Sequence, residues 1–190
     1  MSKQDGYERV EFSSVSELRD WLLANHEQDD GVWLVTHKAH TERYVSREDV
    51  LDELLSFGWI DGRRMVLDED KTMQLVSPRR TQHWAKSYKE RVSKLTDEGR
   101  MHEAGLRSVE KGKRSGMWSF MDDVDALIVP EDLRAALVQS AALERFEALS
   151  PSHRRNVLRW IKLAKRSETR AGRIERAAET TARGERIPQL

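Results

Sequence analysis

The chain has 190 residues, of which 38% are hydrophobic and 35% charged, and it contains no cysteine. That composition fits one folded domain, or a domain with a helical appendage, and it excludes disulfides, thiolate zinc sites and a cysteine nucleophile. The 33 basic and 33 acidic side chains cancel in total but not along the chain: residues 1–75 hold 9 against 17, a net of −8, and residues 151–190 hold 11 against 4, a net of +7. The two ends either attract each other within the fold or present different faces to different partners.

Ser14 and Glu17 have the form of a capping box. Val15, Leu18, Trp21 and Leu22 follow at helical spacing, which predicts a helix to about His26. The apolar run 32–35 reads as a buried strand. Ser46 caps a second helix with Glu48 and Asp49 in its first turn, an apolar face of Val50, Leu51, Leu54, Leu55 and Phe57, and Gly58 where a helix-ending glycine belongs. Two strands, 59–67 and 72–76, flank the acidic turn 68–71 as a hairpin, and Pro78 ends the pairing because it has no N–H to donate.

From about Thr81 the period becomes helical. Trp84, Tyr88, Val92 and Leu95 form one stripe closed by Gly99, and a further helix is expected over 102–113. Gly112, Gly116, Trp118 and the acidic cluster 122–125 read as a loop. Pro130 opens a helix with Leu133 and Leu137, which continues after a bend through Leu143, Phe146 and Leu149. Ser150 and Pro151 open the next, with Val157, Leu158, Ile161 and Ala164. Ser167 is expected to cap a last helix with Ile174, Ala177 and Ala178 inward, and the chain from Gly184 to fray. The pattern is an acidic α/β half and a more basic helical half, joined at Ser77, Pro78, Arg79 and Arg80.

Several ordered motifs run along the chain: GWIDG at 58–62, SPRR at 77–80 with Trp84 just after it, EGRM at 98–101 and AKRSETRAGRI at 164–174. Together these resemble the bacterial YdeI/OmpD-associated proteins, also described as bacteriocin-protection proteins, from about Phe12 to Arg186. The resemblance implies an α+β fold: a small mixed sheet with helices over residues 10–118, similar to the YdhG-type domain, followed by an all-helical module over 126–186. It also implies a part in protection against bacteriocins or antimicrobial peptides and an association with an outer-membrane porin. It implies no reaction, no cofactor and no catalytic residue. The chain departs from the family pattern in having only Thr81, Gln82 and His83 between the arginines and Trp84, and in having Ala85 and Tyr88 where polar residues are common.

The candidate site gathers in the central stretch. Trp59 and Trp84 could wall a pocket, or pack in the core as most of the six tryptophans do. Asp61 beside arginines would stay ionised, as a structural ion pair or a ligand anchor rather than a general base. Arg79 and Arg80 could fork onto a carboxylate or phosphate, or pair with the acidic front half. Arg159, Lys162, Arg166, Arg170 and Arg173 are spaced so that one near-continuous helix would carry them on one face, which could meet nucleic acid or stay solvated. His37 and His40 lack the further donors that a metal needs.

The reading that results is a non-enzymatic binding or stress-protection protein whose partner is a small anion or a protein. The alternatives are a nucleic-acid-associated protein using the basic helices, and an enzyme on a small anionic substrate. No run approaches the about 18 apolar residues of a membrane span, and the first residues lack the apolar core of a signal peptide. The cytoplasm is the expected location.

Overall fold

The computed structural model describes residues 6–185. They fall into two compact units divided between Ser119 and Phe120, each described in turn. The final residues expected to fray lie partly outside the described ones, as does Arg186 at the expected end of the helical module.

The first unit is a four-stranded mixed sheet with helices. Strand β1 (Arg9–Glu11) runs parallel to β2 (Val32–His37); β4 (Lys71–Pro78) lies antiparallel to β2, and β3 (Trp59–Val66) is the outer strand beside β4. β1 is too short to announce itself by alternation, and the sequence gives no sign of it. The β3–β4 hairpin forms as expected, with the Asp68 carboxylate taking the amides of Asp70 and Lys71 to hold the turn. A register shift between Asp61 and Arg64 puts a bulge into β3.

Helices α1 (Val15–Asn25) and α2 (Arg47–Ser56) start as their caps predict, with Ser14 and Ser46 accepting the amides of Glu17 and Asp49. The expected capping box is shifted by one residue, because Glu17 takes the amide of Ser13 rather than that of Ser14. Leu18 and Leu22 of α1, Val50 and Leu54 of α2, and Val32, Leu34, Val76 and Trp59 of the sheet form one core cluster. Gly58 then turns α2 into β3 at φ +76°, a left-handed conformation that glycine adopts without strain. The opposite face of the sheet carries its own cluster of Trp33, Val35 and Met73.

α2 is buried on two sides. Its Leu55 packs with Trp84, Val92, Leu95 and Val109, so α3 (Lys86–Asp97) and α4 (Glu103–Arg114) belong to the first unit rather than to a separate helical half. α3 also starts later than its apolar stripe suggests. Ala85 is its N-cap, and Trp84 sits before the helix. Two acidic residues of α2 are buried as well: Glu53 binds Arg19 at 2.8 Å and Arg100 at 3.1 Å, while Asp52 binds Arg91 and Arg100.

The second unit is all-helical: α5 (Asp122–Asp125), α6 (Glu131–Gln139), α7 (Leu143–Glu147), α8 (Pro151–Lys162) and α9 (Ser167–Ala182). The acidic stretch read as loop contributes the single turn α5. Leu133, Leu137, Phe146, Val157, Leu158, Ile161, Ile174, Ala177 and Ala178, which the helical period selects, are buried in its core together with Met121, Val124 and Ala142, which it does not; Leu143 and Leu149 are only partly buried against it. α9 begins with Ser167 inside it; Arg166 holds the cap position and makes no capping bond there.

Candidate functional site

GWIDG and SPRR meet because the hairpin register sets Trp59 opposite Pro78, Ile60 opposite Ser77 and Asp61 opposite Val76. The Arg79 amide continues that ladder onto the Gly58 carbonyl at 2.9 Å. The chain then runs irregularly to Ala85, which brings Trp84 and the first turn of α3 against the same end of the hairpin.

At its centre is Arg79, only 7% exposed. Its guanidinium carbon lies 3.9 Å from the ring centre of Trp84 and 5.2 Å from that of Tyr88, an arrangement in which ring quadrupoles stabilise a cation taken out of water. Nη1 donates to the His83 carbonyl at 3.2 Å, whereas Nε and Nη2 are buried without an acceptor. Burial pushes the pKa of this guanidinium down to about 10, against the opposing pull of Tyr88 and Asp61.

Asp61 is tied to its neighbours. It accepts the Tyr88 hydroxyl and the Gln74 amide at 3.0 Å, and Arg47 stands 3.9 Å away. Burial, and then the hydrogen bond to Asp61, push the Tyr88 phenol up to about 12. A carboxylate held by a phenol, an amide and an arginine works as a positioning element, and these contacts leave Asp61 few lone pairs for a substrate.

The five expected site residues therefore separate. Asp61, Arg79 and Trp84 come together through Tyr88. Trp59 is fully buried in the sheet–helix core, its Nε1 donating to the His26 carbonyl at 3.3 Å and its ring edge-on to Trp21 at 5.6 Å. Arg80 is exposed and points elsewhere: Nη2 donates to the Asp29 carbonyl at 2.7 Å and lies 3.7 Å from the Asp29 carboxylate, on a cleft of about 460 Å³ shared with Tyr7, Asp30, Ser77 and Gln82. Tyr88, Gln74 and Arg47 are the participants that the sequence does not mark. Tyr88 stands four residues after Trp84, so it reads as one more apolar position on a helix.

The basic C-terminal residues do not share one continuous helix. Arg159 and Lys162 are on α8, Arg166 caps α9, and Arg170 and Arg173 are on α9 beyond the break at 163–166. Within the unit, Arg170 makes a two-pronged bond to Asp132, Lys162 pairs with Asp123, and Arg173 donates to the Trp160 carbonyl. His37 and His40 turn to separate carboxylates, Glu11 and Asp70. Among the described residues no group of three or more His, Asp or Glu is placed to hold a metal ion, and no helix is long and apolar enough to cross a membrane.

Fold and site define an α+β domain with a buried arginine–aromatic–carboxylate cluster, followed along the chain by a compact helical unit. Residues 10–108 match the family described as a domain of unknown function (DUF8412), and the chain belongs to that family. Residues 126–184 match the family described as bacteriocin-protection, YdeI or OmpD-associated. The YdeI/OmpD-associated match thus covers the helical unit, while GWIDG, SPRR and EGRM fall within the other. No curated protein and no solved structure matches the chain.

Proposed function

We propose that this chain is a non-enzymatic binding protein with a protective role, acting in the cytoplasm, that recognises a small anion or a protein through the Arg79 cluster, with Asp61, Tyr88 and Trp84 holding that arginine in place. The observation that carries the binding reading is the buried Arg79 fork: Nε and Nη2 lie side by side with no acceptor, and this edge of a guanidinium suits a carboxylate or a similar planar anion. The protective role rests on the bacteriocin-protection match over residues 126–184. Asp61 and Tyr88 bond to each other, which favours positioning over proton transfer. The ion pairs made by Lys162 and Arg170 within their own unit draw charge away from the nucleic-acid alternative.

The test is survival of cells with and without the gene under challenge by bacteriocins and cationic antimicrobial peptides, complemented by wild-type or Arg79→Ala protein at equal abundance. Protection by the wild type and its loss in the variant support the reading. Equal survival of all strains sinks the protective role, and protection by both proteins removes Arg79 from it. Recovery of the protein in a periplasmic fraction would overturn the placement in the cytoplasm.

A further inference from the structure

The ends of three helices meet at one aromatic stack. His26 is the C-cap of α1, Phe57 the C-cap of α2 and His102 the N-cap of α4. The His102 ring lies on Phe57 at 4.7 Å and meets the His26 ring edge-on at 4.8 Å, while His26 is 5.7 Å from Phe57. The two imidazoles hold their protons on opposite nitrogens. His26 Nδ1 lies 3.0 Å from the Leu22 carbonyl and 3.2 Å from that of Leu23, so it is the donor. His102 Nδ1 receives the Ala104 amide at 3.2 Å, so it is bare. A second proton therefore acts differently on the two rings. On His26 it goes to Nε2, leaves both carbonyl bonds in place and sits at a helix C-terminus, which accommodates a cation. On His102 it goes to Nδ1, turns the cap acceptor into a donor facing an N–H, and puts a cation at a helix N-terminus. The surrounding carboxylates are engaged: Glu53 of α2 holds Arg19, itself 5.4 Å from the Phe57 ring centre, and also Arg100, while Glu103 of α4 pairs with Arg107 at 3.6 Å. Glu27, next to His26 in the chain, is exposed, where water screens its charge.

We infer that the His26–Phe57–His102 contact is an acid-sensitive joint, in which a proton on His102 releases the first turn of α4 from the ends of α1 and α2. On release the His102 ring leaves Phe57 and His26, the cap on Ala104 breaks, and the bond from the His102 amide to the Ser56 carbonyl, 3.0 Å long in the closed joint, is given up. Burial, then His26, hold the His102 pKa below the ordinary 6.5, with Arg107 and Arg19 acting in the same direction and Glu103 opposing them. The released ring thus takes up a proton that the seated ring refuses. The joint is closed above about pH 6.5 and opens as the pH falls towards the lower, seated value. A charge on His26 favours release, because across 4.8 Å it weighs on a seated His102 cation and not on a released one.

The test follows two signals of the full chain by NMR between pH 7.5 and pH 5: the titration of the His102 ring, and the exchange protection of the Ala104 amide relative to its intrinsic rate at each pH. One proton taken up on release raises the open fraction by up to about tenfold per pH unit. Protection of Ala104 should therefore fall between about pH 6.5 and the His102 midpoint and level off below it. His26→Gln keeps an N–H for the Leu22 carbonyl and removes the neighbouring charge; it should move the His102 midpoint up towards 6.5 and make the fall in protection smaller. His102→Asn keeps a capping oxygen and should hold Ala104 protected down to pH 5. Constant protection across the range in the wild type overturns the joint. An equal fall in His102→Asn overturns it too, because the acid-sensitive group then lies elsewhere. A His102 midpoint identical in the wild type and His26→Gln does the same, since the rings then do not act as a pair. Where a variant does not fold, the wild type decides alone: protection that levels off away from the His102 midpoint overturns the joint.

Discussion

The Arg79 guanidinium is stacked over Trp84 at 3.9 Å from the ring centre, and this contact holds the irregular segment after β4 against the first turn of α3. Truncation to Ala removes both the stacking and the bond from Nη1 to the His83 carbonyl. Arg79→Ala should therefore destabilise the first unit by about 2 kcal/mol. Arg79→Met keeps most of the volume on Trp84 and discards a charge that is costly to bury, so it should lie within about 1.5 kcal/mol of the wild type. Urea denaturation followed by tryptophan fluorescence measures both. Equal losses for Ala and Met would show that the cation, rather than its packing, provides the stabilisation.

The Tyr88 hydroxyl donates to a carboxylate shielded from water, a bond worth about 1.5–3 kcal/mol when one partner is charged, and Tyr88→Phe should lose about that much. The phenol is pushed up to about 12 in the fold from an ordinary value of 10.0. The neutral form is the one the fold favours, so this contribution is complete below pH 10 and is lost as the pH rises through about 12. An ultraviolet pH titration of the native protein should show a late tyrosine step near pH 12, and Tyr88→Phe should delete it. Absence of that step in the wild type would contradict the geometry.

His102 caps α4 by accepting the Ala104 amide at Nδ1, at 3.2 Å, so that nitrogen carries no proton in the fold. Burial, followed by the neighbouring ring of His26, holds its pKa below the ordinary 6.5; Arg107 and Arg19 act in the same direction and Glu103 opposes them. A depressed folded pKa means that the unfolded chain takes up the proton first. The stabilisation is therefore present above about pH 6.5 and fades as the pH falls through the lower, folded value. Replacement by Asn keeps a capping oxygen and removes the titration. His102→Asn should start below the wild type at pH 7.5, because it gives up the stacking of the ring on Phe57 at 4.7 Å, but should lose less stability on going to pH 5. Parallel pH profiles for the two proteins would show that the cap does not titrate.

Much of this fold is legible because its apolar positions recur at the right period. Leu18 and Leu22, Leu133 and Leu137, and Val157 with Ile161 are buried where a 3.6-residue repeat puts them, and Ser14, Ser46 and Ser150 cap the helices that follow them. Elements that depend on partners distant in sequence leave little local trace. β1 exists because Arg9, Val10 and Glu11 align with Trp33, Leu34 and Val35, and three residues are too few to show alternation. The burial of Asp52 and Glu53 depends on Arg19, Arg91 and Arg100, from elements as far as 48 residues away. At the site, Asp61, Arg79 and Trp84 are visible as unusual residue types near turns, whereas Tyr88 is hidden in a helical stripe. The side chain directions that separate Arg79 from Arg80 come from the end of β4, and no spacing encodes them.

Glycine in a helix normally invites improvement, since Ala in its place gains about 1 kcal/mol of propensity, and two helical glycines here should respond with opposite signs. In α4, a Cβ on Gly105 would lie 2.2 Å from the Ser56 carbonyl oxygen and 2.8 Å from its carbon. These are backbone atoms at the end of α2, and the Ser56 oxygen is held besides by the His102 amide at 3.0 Å, so relief requires moving one helix away from the other. Gly105→Ala should therefore cost about 2–3 kcal/mol despite the propensity gain. In α9, a Cβ on Gly172 meets nothing within 4 Å, and Gly172→Ala should stabilise the second unit by about 0.5–1 kcal/mol. Denaturant midpoints of the two variants compare the effects directly. A neutral or stabilising Gly105→Ala would mean that α2 and α4 approach less closely than the Gly105–Ser56 contact requires, and would loosen the packing that brings Trp84 to Arg79.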